Sequence, residues 1–426
     1  MGKWLNYITH NVSRQSVFYN DAPFIPSFFE MKNLSHLKPV KKYDYIIAGA
    51  GAAGLSLLWH ILEHEELKKK NILLADRTIQ WKREKTWCFW DKSLIPEKKW
   101  IEKSWESIEV RDGKQAFVYS GGQRYHCISS RRFRENIFER AHGAETVSIL
   151  EADVEGFENL GNNAMIKTDK GDFSASHIFQ SVHIKPESSR KGSKVFQHFR
   201  GFFVESRKEV FNPGMMTLMD FDTDSGTDRC AAFFYVLPFS ENRALCEYTL
   251  FSDELSPAET YDKALQRYLN SRFGLSEKDF KVDEIEQGVI PMDDTPLAGK
   301  LNNRTLSIGT VGGATKPTTG YTFTRIQQHS RNIVKALAEN RLPEPYPRSK
   351  FRFRLYDHLL IQILKNEPLA GPGIFKQLFR KNKIKDVLLF LDEKSSLADE
   401  AKIFASLPWL PFLMALGKSG FGWRVP

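Results

Sequence analysis

Between Tyr43 and Asp76 a strand, a glycine-rich turn, a helix and a second strand ending on an acid follow one another, and no other stretch constrains the chain as strongly. The apolar run Tyr45 to Ala48 has strand length and β-branched residues, and it leads into Gly49-Ala50-Gly51-Ala52-Ala53-Gly54. Leu55, Leu58, Trp59 and Leu62 then recur at helical spacing, and Ile72 to Ala75 reads as the next strand. In a dinucleotide fold each part has its own task. Gly49 permits the tight turn, Gly51 admits a pyrophosphate close to the backbone, and Gly54, after Ala53, lets the helix close on the strand. Free amides at the helix start receive the anion, and Asp76 lies at about the offset of the carboxylate that takes the adenosine ribose hydroxyls. An ordinary Gly-rich strand-to-helix turn is the plain alternative, and the strand–helix–strand–acid context favours the dinucleotide. FAD and NAD share the ADP half, so the turn alone does not separate them.

With 426 residues and 41% hydrophobic content the chain can bury a substantial core, with room for two subdomains. A formal charge of +9 points to an anionic partner, and without any nucleic-acid module a lipid surface is the expected one. Cys88, Cys127, Cys230 and Cys246 are far apart and form no CxxC pair, which indicates neither a zinc site nor a disulfide framework and suits a reducing cytosol. No apolar run reaches the length of a membrane span. Residues 1–40 lack the layout of a secretory signal and read as an N-terminal extension, with Met31 as an alternative start ahead of the dinucleotide unit.

After Asp76, Trp81, Trp87, Phe89 and Trp90 crowd together beside Arg83, Glu84 and Lys85, as core or as the lining of an apolar substrate site. Tyr125 to Ser130 reads as a strand and Arg131 to Ala141 as a helix, with short strands between 147 and 181. From Gln197 successive strand-like runs separated by polar turns predict an antiparallel sheet inserted into the α/β domain. Its hairpin, Cys230 to Leu237 and Ala244 to Phe251, places Leu245, Glu247, Thr249 and Phe251 on one face. A glutamate among apolar neighbours keeps its proton near neutrality, as a general acid must; the plain alternative is a solvent-facing strand residue. A second Gly-rich loop, Gly309 to Gly320, precedes a helix from Thr324, and its Pro317, Thr318, Thr319 and Gly320 flank a helix start that can present amides to a reduced flavin ring. The tail is basic and amphipathic, as in Ile374, Phe375, Leu378 and Phe379 interleaved with Lys376, Arg380, Lys381 and Lys383. That pattern suits a membrane interface or packing on the chain's own domain.

Four blocks, in order, resemble the flavoprotein lycopene cyclases, the bacterial and plant β-cyclase family: AGAGAAGLSL, EKTWCFWD, YVLPFSENRALCEYT and GTVGGATKPTTGYTF. The tail block LDEKSSLADEAKIFASLPWLPFL resembles the same family. The expected fold class is α/β, with a Rossmann-like FAD-binding domain (41–195 and 291–345), an inserted antiparallel β-sheet substrate domain (196–290) and a helical, membrane-proximal C-terminal region (346–426). The resemblance implies cyclisation of lycopene and related linear carotenoids with no net redox change. The same resemblance implies FAD in its reduced form, with NAD(P)H as reductant. It makes Glu247 the catalytic acid, and adds Gly309, Gly312, Gly313, Pro317, Thr319, Gly320 and Tyr321 to Gly49, Gly51, Ala53, Gly54 and Asp76 as cofactor contacts. Trp87, Phe89 and Trp90 become the expected substrate wall. A cytoplasmic, peripheral membrane position and contact with other carotenoid enzymes are further expectations.

The chain departs from the family pattern at several points. Tyr248 stands where plant and several bacterial relatives carry a second acid, so no carboxylate pair is expected there. Ser130 stands where many dinucleotide flavoproteins carry arginine, and Gly309-Thr310 lacks the aspartate of related flavin hydroxylases. Asp293 and Asp294 are alternative proton handlers or turn residues. The rival readings are a flavin monooxygenase or isoprenoid reductase, and a non-catalytic membrane-bound carotenoid-binding protein.

Overall fold

The computed structural model describes residues 41–418 apart from 80–84, 91–92, 94, 96, 114, 183–194 and 223–229. The N-terminal extension with Met31, and Trp81, Arg83 and Glu84, lie outside the described residues. Strand β1 (Lys41–Ala48), helix α1 (Ala52–Leu62) and β2 (Ile72–Asp76) form the expected unit. There follow β3 (Thr86–Phe89), β4 (Ile101–Asp112), β5 (Gln115–Ser129), α2 (Ser130–His142) and β6 (Val147–Glu151). A ribbon β7 (Val154–Asn159), β8 (Ala164–Thr168) and β9 (Gly171–Gln180) leads to β10 (Val195–Ser206), β11 (Met215–Asp220), β12 (Ala231–Pro238) and β13 (Arg243–Ser252). Helix α3 (Ala258–Phe273), β14 (Phe280–Met292), β15 (Lys300–Asn302), β16 (Thr305–Ser307) and α4 (Phe323–Ala338) complete the α/β part. The tail is helical: α5 (Phe351–Asn366), α6 (Ala370–Lys381), α7 (Ile384–Leu391), α8 (Leu397–Ser406) and α9 (Trp409–Lys418).

In the first sheet β16, β9, β1, β2 and β6 run parallel in that order. Its central strand is apolar on both sides because both sides are covered. Tyr45 and Ile47 pack with α1 and α4, while Ile46 and Ala48 pack towards the β8–β9 ribbon. Ile46, Ile47, Leu55, Leu57 and Leu58 are fully buried, each worth about 1.5–3 kcal/mol relative to exposure. Gly51 heads α1 and no side-chain hydrogen bond caps it.

The second sheet has the order β14-β10-β13-β12-β11-β4-β5-β3, antiparallel except for the parallel pair β4 and β11. This sheet is larger than the inserted 196–290 segment. Strands β3 to β5, expected in the first cofactor segment, join it because Ser107 to Arg111 of β4 pair along Met215 to Asp220 of β11. One face is covered by α3 and the other looks towards the tail helices, so that β13 alternates between two cores.

Candidate active site

The first glycine turn is braced from three directions. Gly49 has φ +104°, and a Cβ there would sit 2.2 Å from Ser181 Oγ, so neither the backbone nor the space admits a larger residue. The Ala50 amide donates to Asp76 Oδ2 at 2.5 Å and the Thr78 amide to Asp76 Oδ1 at 2.9 Å. Arg134, buried on α2, donates to the Ala50 carbonyl and, at 2.7 Å, to that of Ile79. Sequence reading overlooked this arginine. Its signal is position: Arg134 lies between Phe133 and Ile137 on the buried side of α2, one turn beyond Ser130. Gly54 seats α1 on the Gly49 carbonyl, while the space before Gly51 is open.

The second glycine segment meets the first. Gly309, at φ +65°, approaches so closely that an added Cβ would be 2.7 Å from that of Ala53. Gly312 backs onto Ser307, Gly313 faces open space, and the loop continues through Pro317 and Thr319 to Gly320 and Tyr321. Lys316 anchors the loop to the tail, pairing with Asp357 at 2.8 Å and Glu393 at 3.0 Å. Thr318 donates to Asp357 at 2.7 Å, and Arg325 holds Glu393 at 2.7 Å. These buried charges are mutually paired, the condition under which burial is tolerated.

A cavity of about 640 Å³ runs from Ala52 past Thr319, Gly320 and Tyr321 to the second sheet, and the tail helices close it. The size suits a small hydrophobic ligand with a few placed polar groups. Glu247 lines it, as does Trp87. Phe89 and Trp90 do not line it: both are buried behind the wall, Phe89 against Phe323 and Trp90 edge-on to Tyr321 at 4.6 Å with its Nε1 on Asp392. The expected three-ring wall is therefore one ring, Trp87, supported by two.

Tyr235, Glu247, Gly201 and Glu286 form one row across β12, β13, β10 and β14. A Cβ on Gly201 would lie 2.5 Å from Glu247 Cγ, so the glutamate stem leans over β10 into room that only glycine leaves. Burial raises Glu247 well above the usual carboxylate range, the charge of Glu286 adds to this, then that of Cys88, and Lys85 opposes it. Beside the row Tyr235 donates to Tyr125 Oη at 3.1 Å, and Tyr125 and Tyr321 share a 2.8 Å hydrogen bond.

Tyr248 points the other way, fully buried and stacked on Phe234 at 4.7 Å, so an acid at that position would face the opposite side of the sheet. Two further carboxyls line the cavity, Asp357, which pairs with Lys316, and Glu286, which stands in the row with Glu247; the sequence marks neither. Asp293 caps a turn by accepting from the Thr295 amide at 2.8 Å, and Asp294 pairs with His358 at 2.6 Å; neither lines the cavity. Among the described residues no group of His, Cys, Asp or Glu has the arrangement of a metal site.

Over residues 44–416 the sequence matches the family described as Lycopene cyclase protein. No curated protein matches it. Among solved structures, a geranylgeranyl bacteriochlorophyll reductase-like protein from Thermoplasma acidophilum is similar at TM-score 0.57 and 11% identity, covering 89% of this chain and 99% of that one. A probable FAD-dependent monooxygenase from Pseudomonas aeruginosa is similar at TM-score 0.53 and 14% identity, over 79% of this chain and 100% of the other. A flavoprotein/dehydrogenase from Cytophaga hutchinsonii has TM-score 0.53 and 11% identity, with 89% and 100% covered. Likeness at such identities concerns the fold, which is that of these flavoproteins with a helical C-terminal region.

Proposed function

The chain belongs to the lycopene cyclase family, and from that premise we propose that it is a lycopene β-cyclase, closing the ψ-ends of lycopene into β-ionone rings with FAD bound. The observation that carries this reading is the Glu247 carboxyl, buried in the wall of a largely apolar cavity that also reaches both glycine segments, where burial raises it well above the usual carboxylate range. Glu247 Oε gives its proton to the terminal alkene carbon, leaving a tertiary cation. The neighbouring double bond supplies the electron pair for the new ring bond, and loss of a ring proton to the Glu247 carboxylate restores the acid. Atoms and electrons balance, and nothing is oxidised. Aromatic faces around the cavity, among them Trp87, Phe233 and Phe251, stabilise the positive charge and keep water away.

The residues fit an FAD. The amides at the start of α1 and the open space at Gly51 suit its pyrophosphate, and the Asp76 carboxylate retains acceptor capacity for ribose hydroxyls. Gln197 Oε1 is buried in the cavity wall with no hydrogen-bond partner among the described residues, beside Gly320, where it can accept from a ring N–H. When bound and reduced, with NAD(P)H as the source of electrons, the flavin supplies an electron-rich ring beside the cation.

A hydrocarbon substrate dissolves in lipid, so the enzyme works as a peripheral protein on an anionic bilayer. Trp409, Leu410, Leu413 and Met414 of α9 are exposed, whereas Leu407 and Phe412 nearby line the cavity. Among the described residues no helix is long and apolar enough to cross a membrane.

Expression in a lycopene-accumulating host tests the proposal. Chromatography should show lycopene replaced by β-carotene. Nicotinamide or oxygen consumed in proportion to substrate would replace the proposal with a redox enzyme, and protein purified without flavin would replace it with a carotenoid-binding scaffold.

A further inference from the structure

We propose that Glu247 and Glu286 are one proton-sharing carboxyl pair bridging Gly201, in which Glu286 holds the negative charge and Glu247 carries the proton. What the proton is used for rests on the cyclase reading; the pair itself rests on the geometry.

The two residues are register partners of the same glycine from opposite sides, which sets their backbones about two strand spacings apart, near 10 Å. Their side chains share the cavity face, and the Glu247 stem lies over Gly201 in the direction of β14. Glu286 is clamped: the Thr86 amide donates to Oε1 at 3.0 Å and the Thr86 hydroxyl to Oε2 at 2.7 Å. Two donors on the two oxygens favour the ionised form, and a second charge on Glu247 would meet that one in a buried site. Glu286 is also inside against the hydropathy of its strand. It is 3% exposed whereas the adjacent Ile285 is 39% exposed, so β14 turns a glutamate inwards and an isoleucine outwards. The other titratable groups facing the pair are Lys85 and Cys88 at β3, Cys127 on β5, Tyr235 on β12 and Tyr321 before α4. Lys85 is also tied to the Gln287 carbonyl. Glu286 thus acts through Glu247 as a positioning residue, and the reacting alkene meets only the latter.

The test is the infrared C=O stretch of protonated carboxyls, followed against pH in the flavin-loaded full chain and taken as a difference from Glu247→Gln. In the unaltered chain the Glu247 band should persist well above the ordinary carboxylate range. In Glu286→Gln its midpoint should fall by about one pH unit or more, and the basic limb of the cyclisation profile should fall with it. Coincidence with the unaltered titration would overturn the pair. Thr86→Val, which keeps both acids, covers the case in which Glu286→Gln does not fold. It should raise the lower of the pair's two titration steps, and an unmoved step would overturn the assignment of the charge to Glu286. A chain that shows these shifts but makes no β-carotene keeps the pair and loses the cyclase reading; one that makes β-carotene without them does the reverse.

Discussion

The two faces of the second sheet bury acids in opposite ways. On the α3 side Asp220 is fully buried, accepts from the Tyr268 hydroxyl at 2.8 Å and lies 3.4 Å from Arg111. Glu109 on the same side pairs with Arg111 at 3.0 Å, lies 3.6 Å from Arg272 and accepts from Thr217 at 2.8 Å. Two carboxylates there face two guanidiniums. On the cavity side Glu247 has no arginine, and among the described residues it has no salt bridge. On the α3 side the guanidiniums of Arg111 and Arg272 oppose the effect of burial, which still raises Asp220, whereas on the cavity side only Lys85 opposes it at Glu247.

The largest effect that would break this contrast comes from removing the proton. Glu247→Gln, nearly isosteric, should lower cyclisation by about 10²- to 10⁴-fold, the usual share of a general acid, with flavin still bound. Pigment profile and flavin absorbance measure the two quantities. Full activity in that variant would make Glu247 an ordinary buried residue. On the other face the damage should be structural. Arg111→Met leaves Glu109 and Asp220 sharing only Arg272, and should cost about 3–5 kcal/mol in urea melts while the folded fraction keeps its turnover. A loss of turnover per folded molecule without loss of stability would erase the distinction between the faces.

What was legible in the sequence was local. The glycine turn with Asp76 and the alternation along β13 are written in consecutive residues, and so the opposed directions of Glu247 and Tyr248 were readable. What was not legible depends on strands that meet from far apart. Glu286 comes from a polar stretch whose hydropathy puts Ile285 inside, and only the pairing of β14 with β10 turns it to Gly201 and Thr86. The same holds for the Lys316, Asp357 and Glu393 anchor, which joins the cofactor loop to a tail read as basic and amphipathic. Phe89 and Trp90 show the limit of composition: aromatic density located the wall but not which ring faces the cavity.

A smaller effect should follow from Gly201→Ala, which adds one methyl 2.5 Å from Glu247 Cγ. Over-packing of this kind costs about 1–3 kcal/mol, and the displaced acid should lower turnover with little change in flavin content. The matching control is Gly156→Ala on β7, where an added Cβ meets nothing within 4 Å and both stability and turnover should stay near the original.

The finest test of the contrast is the pH dependence of stability. Glu247 has a folded-state pKa raised above its unfolded value of about 4.3, so the unfolded chain releases this proton first as pH rises. The stability it contributes is present in full below that unfolded value and is lost as pH climbs towards the raised folded value. Between the two, the folded state holds one more proton, and stability falls by up to about 1.4 kcal/mol per pH unit. Glu247→Gln cannot titrate. The difference in unfolding free energy between the variant and the original should therefore grow in favour of the variant from about pH 5 to pH 7, where Glu286 holds its charge in both chains. Parallel stability curves across that window would mean that Glu247 is ionised in the folded protein, and the two faces of the sheet would then differ in shape alone.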